Sequence, residues 1–521
     1  MDPIWKSRFS ELESECIAIE ATILDLHKQL HEKRIQMNSL PPIQSLLSDD
    51  IMYAIFEAAY LHDFPRCRMH SGLIADSIVV PTHVCRRWRR LALDLPALWS
   101  CLHITSEQSE RYPLALLAFL ERSKNRKLSI TFICHTIKYD YSMEDLPVGN
   151  VHDPRTDWPR FMSCLGRLLE HRKRWQNLGI YIGDERQLRA LYKALHQRQF
   201  PSLQFLQILA DHAADLLEYV YPLQMQVPNL RELRGNTLNL IGPSFYSNLT
   251  DLMLDNYPIS ASEFITTLAK FSSTLERLVL RLLAVRGPAP LLTTSLLFPR
   301  LRYLAIADPI LDDPDNFGEQ AINNLLRSCP NIEVLQCTQI RAFEWIVASL
   351  PQKLTFDHAH SVFLHSDDIY GMPSNATDRV PRWYDCLDMF PVVREMYIHD
   401  PDSLSSGLAA IRDATVDEHI IWPELRSLAI SLDRLSQLPE IINFLQHRAG
   451  IQRPLQSVTL MCNTAKRPEF ITSWEAETGL PEVFWKPYPS TDPFDPWDDG
   501  CDRPSFKPWK GSLSFEDQDL D

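Results

Sequence analysis

Glycine is scarce in this 521-residue chain, at 15 positions. Phosphate cradles and dinucleotide turns need glycine wherever the backbone must approach a ligand closely. No G-x-x-x-x-G-K-[ST], no G-x-G-x-x-G after a strand, no G-x-S-x-G and no H-E-x-x-H occurs. Nucleotide chemistry and the commoner hydrolytic mechanisms are therefore disfavoured, no cofactor is expected, and the chain reads as a non-enzyme. Positive charge is in deficit, 52 Lys and Arg against 67 Asp and Glu for a net charge of −15, which argues against a nucleic-acid partner, since phosphate backbones are held mainly by clustered basic residues. No run of about 18 apolar residues is present, so no membrane span is expected. The opening Met1-Asp2-Pro3-Ile4-Trp5-Lys6-Ser7-Arg8 lacks an apolar signal core, and the expectation is a soluble protein of cytoplasm and/or nucleus. The 11 cysteines are odd in number and scattered, with Cys134, Cys164, Cys337 and Cys462 inside apolar runs, which fits reduced buried thiols better than a disulfide framework.

Proline, by contrast, is plentiful at 37 residues, and much of it belongs to a recurring cassette, Pro-x-Leu-x-x-Leu-x-Ile with substitutions. Clear copies are Pro201–Ile208, Pro299–Ile306 and Pro423–Ile430. Weaker ones begin at Pro228, Cys329, Phe390 and Pro454, and copies without the proline surround Trp175, Leu249 and Leu275. Successive copies are mostly separated by roughly 26 to 32 residues, against about 20 to 29 in regular leucine-rich repeats. One double step, from Ile332 to Val393, predicts a degenerate copy near Ala359, Val362 and Leu364. Between cassettes the apolar period changes from 2 to 3.6, through 262–271, in Ile322 with Leu325 and Leu326, and in Ile441, Ile442 and Leu445, which reads as helices. Ser260 or Ser262, Pro439 and Gly450 carry their expected start and stop chemistry. A short alternating run cannot bury its face alone, and stacking such runs supplies a continuous core.

Strand and helix so alternating resemble the irregular leucine-rich repeats found behind F-box motifs, an α/β solenoid with a parallel sheet inside and helices outside. The resemblance implies a capping Asn or Cys after each cassette, for which Asn463, Asp211 and Asp433 are candidates. In such a repeat the positions between and just outside the last two aliphatics point away from the core. Those residues include Met253, Arg277, Val279, Arg281, Tyr303, Ala305, Glu395, Tyr397 and His399, a mixed aromatic and charged strip suited to protein recognition and equally compatible with ordinary solvated sheet surface. Met253, Arg277, Arg281, Tyr303, Glu395, Tyr397 and His399 are the candidate target-binding residues.

The first 39 residues carry a different pattern. Leu12, Cys16, Ile19, Ile23, Leu26, Leu30, Lys33 and Met37 alternate steps of four and three, the seam of a helix about four heptads long. It reads either as a coiled coil through which the chain self-associates or as an amphipathic helix folded against its own body. After it comes Leu46-Leu47-Ser48-Asp49-Asp50-Ile51-Met52-Tyr53-Ala54-Ile55-Phe56, and later Val84-Cys85-Arg86-Arg87-Trp88-Arg89-Arg90-Leu91-Ala92 closing at Pro96-Ala97-Leu98-Trp99. Ser48 is placed to cap a helix whose first turn holds two acids. These two stretches resemble the opening and closing halves of the F-box in large fungal F-box-like families, departing from them in Ser48, where proline is usual, and in the insertion from about Glu57 to Thr82. The resemblance implies docking on the Skp-type adaptor of a cullin ubiquitin ligase, through Leu47, Ile51, Met52, Ile55, Phe56 and Trp88. The bland alternative is a helical cap sealing the first repeat.

Other constellations weigh less. Cys67-x-x-His70 with His83-x-Cys85 has zinc-ligand residue types at a spacing that is not a standard finger, and no metal is expected. The pairs Asp49/Asp50, Asp312/Asp313 and Asp367/Asp368 read as helix-start and turn chemistry. From Lys466 onward the chain is rich in Pro, Trp and Asp, with repeated X-Pro steps that oppose regular ladders. The expected organisation is an N-terminal helix (1–39), an F-box-like module (40–105), a solenoid (125–465) and a largely disordered tail (466–521). The expected function is a substrate receptor that binds an adaptor and an unidentified target protein, the alternative being a repeat scaffold independent of any ubiquitin ligase.

Overall fold

The computed structural model describes scattered positions between 15 and 34 and then residues 47–67, 82–105, 112–134, 158–182, 185–210, 224–235, 247–255, 258–281, 284–286, 297–307, 322, 324–338, 355–365, 389–399, 408, 412, 422–432, 438–462 and 482–487. The chain divides into two compact units: Met1–Cys67 with Ala75–Trp99, and Arg68–Ile74 with Ser100–Asp521. Asn463, Asp211, Asp433, His70, the later aspartate pairs and the tail beyond 487 lie outside the described residues.

In the first unit, α1 (Asp49–Cys67) and α2 (Arg86–Asp94) are the two halves of the helical module. Ser48 caps α1 as expected, its Oγ accepting from the Ile51 amide at 3.3 Å. Cys85 is the N-cap of α2, exposed and with Sγ accepting from the Trp88 amide at 3.4 Å. Leu95 leaves the helix in extended backbone, as a residue before proline must, and Pro96–Trp99 forms a 3-10 turn. Its Trp99 is buried, and the indole N–H donates to the Ala92 carbonyl at 2.8 Å.

The second unit is α/β, its described residues forming a fourteen-stranded sheet. In chain order the strands are β1 (Cys101–Thr105), β2 (Leu128–Cys134), β3 (Trp175–Ile182), β4 (Phe205–Ala210), β5 (Glu232–Gly235), β6 (Asp251–Asp255), β7 (Pro258–Ser260), β8 (Arg277–Arg281), β9 (Ala284–Arg286), β10 (Tyr303–Ala307), β11 (Val334–Thr338), β12 (Ser361–His365), β13 (Glu395–His399), β14 (Ser427–Leu432), β15 (Ser457–Cys462) and β16 (Glu482–Pro487). All but β7 and β9, which pair with each other, join the large sheet in sequence order, and every pairing is parallel. One strand per repeat, each bonded to the next, is a solenoid-like arrangement.

Register explains why the cassette has its spacing. Leu206, Leu233, Leu252, Leu278, Leu304, Leu335, Val362, Met396, Leu428 and Val458 are aligned across neighbouring strands, and none is more than 4 % exposed. Two residues on, Leu254, Leu280, Ile306, Cys337, Leu364, Ile398, Ile430 and Leu460 form a second buried row. Helices cover this face: α4 (Trp158–Glu170) buries Phe161, Leu165 and Leu168, and the Phe161 ring meets Phe132 of β2 edge-on at 5.4 Å. The helices expected at 262–271 and around Ile441, Ile442 and Leu445 are present as α6 (Ala261–Phe271) and α7 (Leu438–Gly450), after α3 (Tyr112–Arg122) and α5 (Glu185–Leu195). The described residues of 322–326 are helical as well.

In five cassettes the proline sits at the second position of a turn that enters the next strand. Leu203, Leu230, Leu301, Val393 and Leu425 donate their amides to the carbonyls of Phe200, Val227, Phe298, Phe390 and Trp422, three residues earlier, at 3.1–3.4 Å. A ring that pre-sets φ favours that position. The degenerate copy makes the same turn without proline, Ala359 to Phe356 at 3.1 Å, and β12 follows it as expected. The residues before these prolines are buried, and two of them meet an aromatic ring of an earlier repeat: Phe200 lies 5.1 Å from Trp175, tilted against it, and Phe390 stacks on Phe356 at 5.6 Å.

Asparagines do link the repeats, at a cassette position the resemblance does not point to. Asn229, Asn248 and Asn331 donate from Nδ2 to the carbonyls of Pro201, Pro228 and Pro299, the turn prolines of an earlier repeat, at 2.7, 2.5 and 2.8 Å. Three further expectations need correction. Gly450 lies within α7, and the left-handed stop is Gln452, at φ 58°. The amides of Gln452 and Arg453 close back on Ala449 and Arg448, the two bonds of a Schellman ending, and such a turn tolerates a non-glycine residue when both are made. The module ends at Trp99 rather than 105, because Cys101–Thr105 has the alternation of a strand and pairs with β2. The tail contributes β16, paired along β15, its Val-Phe-Trp run favouring a strand and its Pro487 sitting at the outer end where a missing donor is harmless.

Buried Arg448 completes the last turns. It is 1 % exposed and donates to the carbonyls of Trp422, Leu425 and Arg453 at 3.1, 3.3 and 3.1 Å. Burial pushes it down to about 10, so it is charged at neutral pH, its guanidinium acting as a fork for loop carbonyls.

Candidate interaction surfaces

In the helical module, Met52 and Phe56 lie one helical turn apart on α1 and are buried at 1 % and 4 % exposure. Phe56 meets the Trp88 ring of α2 edge-on, centroids 4.9 Å apart. Neighbouring Ile51 and Ile55, also one turn apart, remain 49 % and 43 % exposed. The six residues expected to meet an adaptor therefore separate by role. Met52, Phe56 and half-buried Trp88 hold the two helices together, and Met52 and Phe56 are closed to any partner in this arrangement. Ile51 and Ile55 are what the module presents.

A polar clasp beside them ties the halves across 38 positions of sequence. Arg87 donates from Nε and Nη2 to Oδ1 of Asp49 at 3.0 and 2.6 Å and from Nη2 to the Leu47 carbonyl at 2.6 Å, while Arg90 reaches Oδ2 of Asp49 at 3.2 Å. The Arg87 hydrogen bonds, with the charges of Arg87 and Arg90, hold the Asp49 carboxyl below its ordinary value. Leu47, half-buried, enters this arrangement through its carbonyl. Sequence reading assigned Asp49 to helix-start chemistry alone, and the arginine run beside Trp88 was the signal for its partner.

On the sheet, alternation puts the seven candidate target-binding positions in rows of one face, opposite the aliphatic rows. Arg277, Tyr303 and Glu395 share one row through the pairings of β8 with β10 and of β12 with β13 and their neighbours. Met253 and Tyr397 lie in the middle row, and Arg281 and His399 in the third. The middle row is more covered than sequence reading expects. Met253, Val279 and Ala305 form one small buried cluster with Leu209 and Tyr303 against it, and Tyr397, Ala429 and Met461 form another with Phe363. Met253 and Tyr397, each 4 % exposed, are thus bracing rather than contact residues, packed into these clusters. Arg277, Arg281, Tyr303 and Glu395 are half-buried and open to contact; the His399 side chain lies outside the described residues.

The open rows are pre-ordered by their own contacts. Arg277 lies over the Tyr303 ring at 4.6 Å, and the Tyr303 hydroxyl donates to Gln336 Oε1 at 2.7 Å. Arg234 pairs with Glu232 at 2.7 Å and lies over Phe205 at 5.2 Å, and Ser361 donates to Glu395 at 2.8 Å. Between β5, β6 and β8, residues Glu232, Arg234, Asp251, Met253, Arg277 and Val279 line a pocket of about 10 Å³, room for a single water-sized group. Nε of Arg277 is buried there and meets no acceptor among the described residues. Such a wall carries cations stacked on aromatics, as protein-recognition surfaces do.

Among the described residues no three of His, Cys, Asp and Glu gather as a metal site; His83 and Cys85 are both exposed. No described helix is long and apolar enough to cross a membrane. Neither family models, nor curated proteins, nor solved structures match this chain.

Proposed function

We propose that the protein is a substrate receptor of a cullin-type ubiquitin ligase, its helical module docking on the Skp-type adaptor and the open face of its sheet engaging a target protein. The observation that carries this reading is the division of labour on α1. Met52 and Phe56 are spent on the module's own packing, while Ile51 and Ile55, which match positions of the F-box opening, stay exposed. An exposed aliphatic pair on a clasped helix is what an adaptor groove requires. The attached repeat sheet adds a braced wall with Arg277, Arg281, Tyr303 and Glu395 accessible. No residue of the chain would make or break a bond; the receptor contributes proximity between target and ligase, raising effective concentration.

The test is affinity capture with the full chain and with a chain lacking residues 40–99, a deletion that stops short of β1. Adaptor and cullin are expected with the first and absent from the second, while captured target is retained by both. If the full chain brings down neither adaptor nor cullin while still holding a partner, the ligase reading fails and the chain is a repeat scaffold.

A further inference from the structure

The N-terminal helix has no part in the reading above. Its described positions between 15 and 34 are all helical and exposed, and the seam residues among them, Ile19, Leu26 and Leu30, are 59 %, 56 % and 48 % exposed. Thr22 donates to the Ala18 carbonyl at 2.9 Å and Gln29 to Asp25 at 2.7 Å, bonds on the flanks of the helix that do not involve Ile19, Leu26 or Leu30. We propose that two copies of the chain pair through this stripe with their helices antiparallel.

Charge decides the direction. On the heptad count, Cys16, Ile23, Leu30 and Met37 are a positions and Leu12, Ile19, Leu26 and Lys33 are d positions. Parallel pairing in register would set Lys33 against its own copy in the core and Glu15 at g against Glu20 at e, two like-charge contacts. Antiparallel pairing centred between residues 24 and 25 sets each a opposite a d: Leu12 meets Met37, Cys16 meets Lys33, Ile19 meets Leu30 and Ile23 meets Leu26. Lys33 then faces a thiol, past which its stem can carry the ammonium to water. The e positions become complementary, Glu13 opposite Arg34 and Glu20 opposite His27. The acidic start, with Glu11, Glu13 and Glu15, lies along the basic end, with Lys33 and Arg34, and the helix dipoles run head to tail. A dimer of this kind would present two repeat sheets to one target, gaining avidity without new contacts.

The test uses the full chain, its mass followed by light scattering and sedimentation from nanomolar to tens of micromolar. A dimer is expected, and Ile19→Glu with Leu26→Glu should weaken it roughly a hundredfold or more while leaving the melting curve of the dissociated chain at nanomolar concentration unchanged, because both side chains are exposed in the single chain. Glu13→Arg and Arg34→Glu should each weaken the dimer about five- to tenfold, and the two together should restore it. Antiparallel pairing predicts that rescue, whereas parallel pairing and docking on the chain's own body do not. A monomer at every concentration, a dimer indifferent to Ile19→Glu with Leu26→Glu, or single charge swaps that the double swap fails to rescue would each overturn the proposal. Adaptor capture is unaffected by these variants, so this test and that of the ligase reading fail separately.

Discussion

Replacing Ile51 and Ile55 by aspartate tests the adaptor surface without unfolding the module that carries it. Each side chain is about half exposed, so the folded chain should lose no more than about 0.5 kcal/mol per site. Binding should respond far more. Covering the exposed half of an isoleucine contributes roughly 1 kcal/mol, so Ile51→Ala with Ile55→Ala should weaken adaptor binding by about 2 kcal/mol, near thirtyfold. A carboxylate forced into an apolar groove adds a desolvation cost of several kcal/mol, and the double aspartate variant should lose at least about a thousandfold. Calorimetric titration of purified full-length variants with the adaptor reads the difference. The matching control is Met52→Ala, which removes a residue 1 % exposed and should cost about 2 to 5 kcal/mol of stability through the packing of α1 on α2. An aspartate pair that binds the adaptor within threefold of the parent chain would refute the assignment of this surface.

Three further outcomes follow from the sheet. Arg448→Met keeps the volume of a buried side chain but strands carbonyls of Trp422, Leu425 and Arg453, and should lower unfolding free energy in urea by about 3 kcal/mol, with Arg448→Lys no better because one ammonium cannot span the fork. Burial pushes His103 down to about 4 from its ordinary 6.5. The unfolded chain therefore takes up a proton below pH 6.5 that the folded chain refuses until about 4, so stability present above pH 6.5 is lost as pH falls, by about 3 kcal/mol in all; melting curves from pH 7 to 4 should show this slope, and His103→Gln should flatten it. Asn331→Ala removes the bond to the Pro299 carbonyl and should cost about 1 kcal/mol in the same urea titration, and an unchanged midpoint would discount the asparagine link.

The aliphatic rows were legible because a period of two, fixed by the pleat, has to be written into every strand that covers a core. The helices at 262–271 and 438–450 were legible for the corresponding reason at 3.6. What could not be read is whatever depends on distant pairing. A helical wheel puts Ile51, Met52, Ile55 and Phe56 on one broad face, and only the approach of Trp88 decides which two turn inward. Asp49 with Arg87, and Arg448 with the carbonyls of Trp422 and Leu425, join residues 23 or more positions apart. Met253 and Tyr397 were expected to be open because alternation gives a direction but says nothing of how large the flanking side chains are. The proline of the cassette was visible as a letter, whereas its role and that of the following asparagine became plain only when successive turns were seen side by side.

A sheet whose strands join strictly in the order of synthesis also has a growth direction. As the polypeptide emerges, each completed repeat leaves a bare edge that the next one covers, so no contact has to wait for a distant segment and assembly proceeds by short steps. Until then that edge is the adhesive part of the nascent chain. The last described strand ends in Pro487, a residue with no amide to offer to a further strand at that corner.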